Sequence, residues 1–207
     1  MKKKFCFFAL SVSMLVMIFL GGCGILLEDR TFALSLSVDY KDGEYLVWYG
    51  TSDLSGEVSE EEESSPVKEQ SENEFKGTNM EEAKKKFLSS QENELDMGHL
   101  KAIILGEGLI KNQMAYEGVL NYLEAQPAVA SNVLVFQCKE IENLVQIEKE
   151  QEIPLGIYLT KMPQDKSKET VKLQEVYRLW YNQKTQPVFP EIKIWQKKIV
   201  VQNKSEK

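Results

Sequence analysis

The chain has 207 residues, 43% hydrophobic and 28% charged, with 12 Gly, 6 Pro and a net charge of −7. That length holds one domain or two small ones, and the composition excludes collagen-like, wholly disordered and polytopic membrane proteins. The acidic balance argues against a nucleic-acid partner, whose phosphates need a basic face.

The N-terminus reads as an address. Lys2, Lys3 and Lys4 precede an apolar run from Phe5 to Leu20, and Gly21-Gly22-Cys23 follows. Charge, apolar stretch and small residues in that order make a signal peptide, assigned here to residues 1–22. A Cys directly behind the small pair resembles a bacterial lipobox, which implies a diacylglyceryl thioether on Cys23 and cleavage just before it. The apolar run is short for a spanning helix, which needs about 20 residues. Cleavage removes three lysines and takes the charge from −7 to −10. Anionic lipid repels such a surface, which predicts a domain standing off the bilayer unless a protein partner holds it. Of Cys6, Cys23 and Cys138, the mature chain keeps one free thiol, so no internal disulfide is expected.

Residues 23–29 are a tether, and the domain is expected over 30–201. Phe32, Leu34, Leu36 and Val38 alternate with small or polar residues, the period of a half-buried strand. Asp42-Gly43 is a hairpin turn signal, and Tyr45–Tyr49 make the returning strand. Residues 55–77 are predicted to be an acidic disordered loop. Between Ser55 and Glu74 eight Glu face a single Lys68, with too little apolar surface to offset ordering. A cation-binding role for this run is disfavoured because it lacks calcium-loop spacing.

Thr78-Asn79-Met80-Glu81 fits a capping box with Thr78 as the cap, opening a helix to about Leu95. Leu100–Gly106 is a buried strand, Leu109–Gln126 a helix ended by Pro127, and Asn132–Cys138 a second buried strand. Helices are predicted around Ile141–Val145, over Ile153–Met162 and over Thr170–Asn182. A terminal strand begins at Pro190, extended by Ile199–Val201, and residues 202–207 are a polar tail. The fold class is α/β (mixed α+β), a single domain with one mixed sheet packed by helices in the order β-β-α-β-α-β-α-α-α-β. The strands at 100–106 and 132–137, joined by a helix, suit a parallel crossover.

No catalytic constellation is visible. A single His, His99, excludes a two-His metal site, and no phosphate loop or nucleophile elbow occurs. No catalytic residue, cofactor site or metal site is assigned. His99 is read as a structural residue satisfying a backbone carbonyl, in preference to a base or pH sensor. Cys138 is read as a small core hydrophobe. Trp48, Tyr49, Tyr177, Trp180, Tyr181 and Trp195 could form a recognition surface, but their periodicity favours the core.

Several segments together resemble the Ger(x)C spore germination lipoproteins, the C subunits of nutrient-germinant receptors. These are the lipobox at Cys23, Asp29-Arg30 before a strand, Val38-Asp39 with Asp42-Gly43 and Tyr45, the run Gly98–Glu107, and Phe189–Ile194. The pattern differs in Gly24-Ile25-Leu26-Leu27 behind the Cys, and in ending after the last strand of the family's first domain. The resemblance implies a first-domain-only, non-enzymatic subunit of a germinant receptor, lipid-anchored to the outer face of the cytoplasmic membrane (the spore inner membrane). Its implied partners are the membrane itself and integral-membrane A and B receptor subunits. The alternative is a generic extracytoplasmic small-molecule-binding lipoprotein. A cell-envelope hydrolase using two Glu ranks third.

Overall fold

The computed structural model describes residues 30–52, 74–91, 93–151, 153–162 and 170–202. The expected signal peptide, Cys23 and expected tether (residues 1–29), residues 53–73 of the acidic run and residues 203–207 lie outside them. Within the described residues the chain forms eight strands and six helices. These are β1 (Arg30–Lys41), β2 (Glu44–Ser52), β3 (Phe75–Gly77), α1 (Met80–Ser89), β4 (Glu94–Asp96), β5 (Ala102–Gly106), α2 (Glu107–Lys111) and α3 (Gln113–Glu124). They continue as β6 (Leu134–Cys138), α4 (Ile141–Lys149), α5 (Leu155–Lys161), α6 (Leu173–Gln183), β7 (Glu191–Trp195) and β8 (Lys198–Gln202).

All strands join one mixed sheet in the order β3-β2-β1-β5-β6-β7-β8, with β4 beside the start of β1. The expected hairpin is present. β1 and β2 pair antiparallel from Phe32–Ser52 to Lys41–Glu44, through a turn in which Asp42 and Gly43 have φ of 54° and 88°. β5 and β6 pair in parallel, as the crossover predicts, and β1, β4, β6 and β7 add parallel neighbours.

The central strands are buried on both sides, so alternate residues feed two cores. Ile103 and Leu105 of β5 join Leu36, Val38 and Val47 under α1, α2, α3 and α6. Ala102 and Ile104 join Leu46, Trp48 and Phe136 under α4 and α5. β1 carries a register shift between Ala33 and Ser35. It lets Ala33 and Leu36, which differ in parity, face the same core.

Local differences from the sequence reading have identifiable causes. The cap of α1 is Asn79, not Thr78. The Asn79 side chain accepts from the Glu82 amide, and the Glu82 carboxylate reaches back to Thr78 N and Oγ1 at 2.9 and 2.8 Å. These bonds, with Lys86 at 3.1 Å, hold the Glu82 carboxyl low, at about 2. The helix stops at Ser89 instead of near Leu95, where Ser90 Oγ donates to the Phe87 carbonyl at 2.7 Å and β4 takes up Leu95. The predicted loop at 55–77 ends early, because Phe75–Gly77 pair with β2. The predicted helix at 109–126 is broken at Asn112, whose side chain accepts from Ala115 N and caps α3. The terminal strand is a hairpin turning at Gln196 and Lys197, with φ of 48° and 61°. Gln202, expected in the tail, closes β8.

Candidate functional site

The parallel pairing of β1 with β4 sets Arg30 beside Glu94 at one edge of the sheet, while β5 and β6 begin further along, with Ala102 opposite Ser35 and Leu134 opposite Ala102. Arg30 opens β1, and its Nη1 donates to Asp96 Oδ2 at 3.0 Å. Asp96 Oδ1 accepts the Gly98 amide at 2.7 Å, tying the start of β1 to the turn before β5. Arg30 is too exposed for the pair to add more than about 1 kcal/mol, so it sets position rather than stability. A small cleft of about 210 Å³ opens here, lined by Arg30, Asp96, Met97, Gln126 and Ala128 among others. His99 stands exposed on this edge, its ring edge-on to Phe32 at 4.7 Å between centroids. The expected bond to a carbonyl is replaced, among the described residues, by this aromatic contact.

At the other end of β1, Asp39 Oδ1 accepts two amides, Tyr40 N at 2.8 Å and Leu109 N at 2.9 Å. The second lies in the first turn of α2, whose N-cap Gly106 has no side chain to offer. A Cβ at Gly106 would collide with the Asp39 carboxylate, so the glycine is what lets the acid approach. Asp39 and Gly106, quoted above only as parts of a pattern, thus meet as a structural clasp.

The α4/α5 face holds the group that sequence reasoning missed. Glu148 Oε1 accepts Ser35 Oγ at 3.3 Å and the Leu155 amide at 3.1 Å. Gly50 provides the space, since a Cβ there would overlap both Ser35 Oγ and the Glu148 carboxylate. Burial pushes the Glu148 carboxyl upward, against the lowering effect of those two donors. A signal existed: Ile141, Leu144, Val145 and Glu148 follow i, i+3, i+4, i+7, which sets Glu148 on the apolar stripe of α4. Beside it lies a wider cleft of about 550 Å³, with Trp48 and Val145 at its base and Glu74, Lys76, Glu142 and Lys149 around it.

The remaining candidates separate clearly. Cys138 is buried at 2% exposure, and burial raises its thiol to about 11, which suits a core hydrophobe and not a nucleophile. Trp48, Tyr49 and Trp180 are core residues, whereas Tyr181 and Trp195 are exposed at 39% and 68% and depart from the core reading. Trp195 ends β7 beyond the reach of the covering helices, so its periodicity carried no burial. Among the described residues, no group of three or more His, Cys, Asp or Glu is placed to hold a metal ion, and no helix is long and apolar enough to cross a membrane.

The chain matches the family model described as Spore germination protein N-terminal domain over residues 25–194, most of its length. Nothing matches among curated proteins or among solved structures. The match takes in Arg30, Asp39, Asp42-Gly43, the segment 98–107 and Phe189–Ile194. The chain belongs to the family of spore germination protein N-terminal domains.

Proposed function

We propose that this domain is a non-enzymatic subunit of a nutrient-germinant receptor, anchored through a diacylglyceryl thioether on Cys23. In this reading residues 1–22 are removed, residues 23–29 tether the domain, and residues 30–201 form the working module, with 202–207 as its tail. Integral-membrane A and B receptor subunits are its partners, on the outer face of the spore inner membrane. The observation that carries the reading is the family match over 25–194, which sits directly behind the lipobox. The clasp role of Asp39, which ties β1 to α2, and the buried Cys138 thiol support a module that acts through contact. Two acyl chains on one Cys suffice for stable anchoring, at about 0.8 kcal/mol per buried methylene. Isolation of the native protein from spore membranes should bring two integral-membrane subunits with it. Cys23→Ala should leave an unprocessed precursor or release the domain. Recovery without membrane partners, and unchanged fractionation of the variant, would refute the proposal.

A second reading, a small-molecule-binding lipoprotein, is favoured by the cleft beside Trp48. Its volume of about 550 Å³ lies within the usual range of roughly 300–1,000 Å³ for ligand sites. A ligand that binds only the folded state raises the melting temperature. A screen of amino acids and sugars that produces no shift in the wild type would remove this alternative.

A further inference from the structure

We propose that the edge formed by the starts of β1 and β4, together with the 125–132 segment that borders them, is the bilayer-facing side of the domain, turned toward the lipid headgroups. The inference rests on the anchoring at Cys23 proposed above and adds an orientation to it. β1 runs for 12 residues from Arg30 to Lys41. At about 3.3 Å per residue its ends lie about 36 Å apart. Seven peptide steps separate Cys23 from Arg30. Whatever their conformation, covalent geometry limits them to about 25 Å. A domain inverted on the bilayer, with the Asp42-Gly43 turn against the lipid, would need the tether to climb the whole length of β1, and it is too short.

An uncharged stretch of chain lies at the same edge. Residues 125–132, Ala-Gln-Pro-Ala-Val-Ala-Ser-Asn, carry no charge in a chain that is 28% charged. They lead into β6, whose first residue pairs with Ala102 at the start of β5, and Ala128 borders the cleft at Arg30 and Asp96. Arg30 pairs with Asp96 there, the exposed Glu94 stands beside Arg30 in the register, and Lys101 is exposed further along, next to Leu34. An anionic headgroup layer repels acidic protein surface and attracts Lys and Arg. The 125–132 segment approaches that layer without bringing acidic groups to it, and Glu94 is the one carboxylate of the cleft left without an ion pair among the described residues.

The test uses the full lipidated chain in vesicles containing phosphatidylglycerol and headgroup-linked energy-transfer acceptors. A donor dye is placed at Ala128→Cys or at Lys41→Cys, both exposed positions. The buried Cys138 thiol, raised to about 11, leaves the introduced cysteine as the reactive one. Transfer should be severalfold stronger from position 128 than from 41. Ser131→Cys, a second exposed site on the same edge, should follow 128. Equal transfer, stronger transfer from 41, or an ordering that needs membrane proteins besides the vesicle would overturn the orientation. Flotation of the vesicles is read in the same samples: protein left at the bottom refutes the anchor, whereas floating protein with the wrong transfer order refutes the orientation alone.

Discussion

On one face of the sheet α1, α3 and α6 bury Met80, Phe87, Tyr116, Leu120, Leu123, Val176 and Trp180 in a continuous apolar core. On the other, α4 and α5 lie over the buried Ser35 and Ser37, and a carboxyl group is folded in among them. The first face is held mainly by volume and shape: Tyr45 Oη donates to the Ala115 carbonyl at 3.2 Å, but Tyr116 Oη and Trp180 Nε1 have no hydrogen-bond partner among the described residues. The second is held by fewer apolar contacts and by bonds that depend on protonation. Stability should therefore be concentrated on the first face, and sensitivity to pH on the second.

Four substitutions test that contrast. Trp180→Ala removes a side chain that is 2% exposed and meets Tyr116 edge-to-face at 4.9 Å between centroids, and it should cost about 3–5 kcal/mol in chemical denaturation. Asp39→Ala leaves the Leu109 amide without its acceptor where α2 joins the sheet, and the loss should be about 1–3 kcal/mol. Glu148→Gln should act in the opposite direction. The carboxyl is raised in the folded state, so its contribution is fully present below the unfolded value and is lost as pH rises through the folded one. The neutral amide escapes that loss. The variant should melt higher than wild type at neutral pH, with the difference shrinking toward acid, and a gap that grows on acidification would contradict the assignment. Tyr116→Phe, which deletes only an idle hydroxyl, should change stability by less than about 1 kcal/mol in either direction.

Much of this architecture could be read beforehand, because the elements that build both cores have clear periods. Leu100–Gly106 and Val133–Cys138 are apolar but for Lys101 and Gln137, and Tyr116, Val119, Leu120 and Leu123 mark one side of α3. β3 and β4 were not legible, since three residues carry no period and their pairing partners are distant in sequence. The β7–β8 turn escaped because Gln196 and Lys197 adopt the left-handed region without the Gly, Asn or Asp that normally announces it. The cap at Asn79 was displaced by one because Thr78 and Asn79 are both competent caps and Glu81 and Glu82 both competent responders. The site followed the same rule. His99 and Cys138 drew attention by residue type, whereas Asp39 and Glu148 matter through neighbours 70 and 113 positions away.

The proposed lipid on Cys23 is tested most directly by the intact mass of the native protein extracted from spore membranes. A chain beginning at Cys23 and carrying diacylglycerol is the predicted result. A full-length chain that keeps Met1, bears no acyl group and is recovered from the soluble fraction would contradict it.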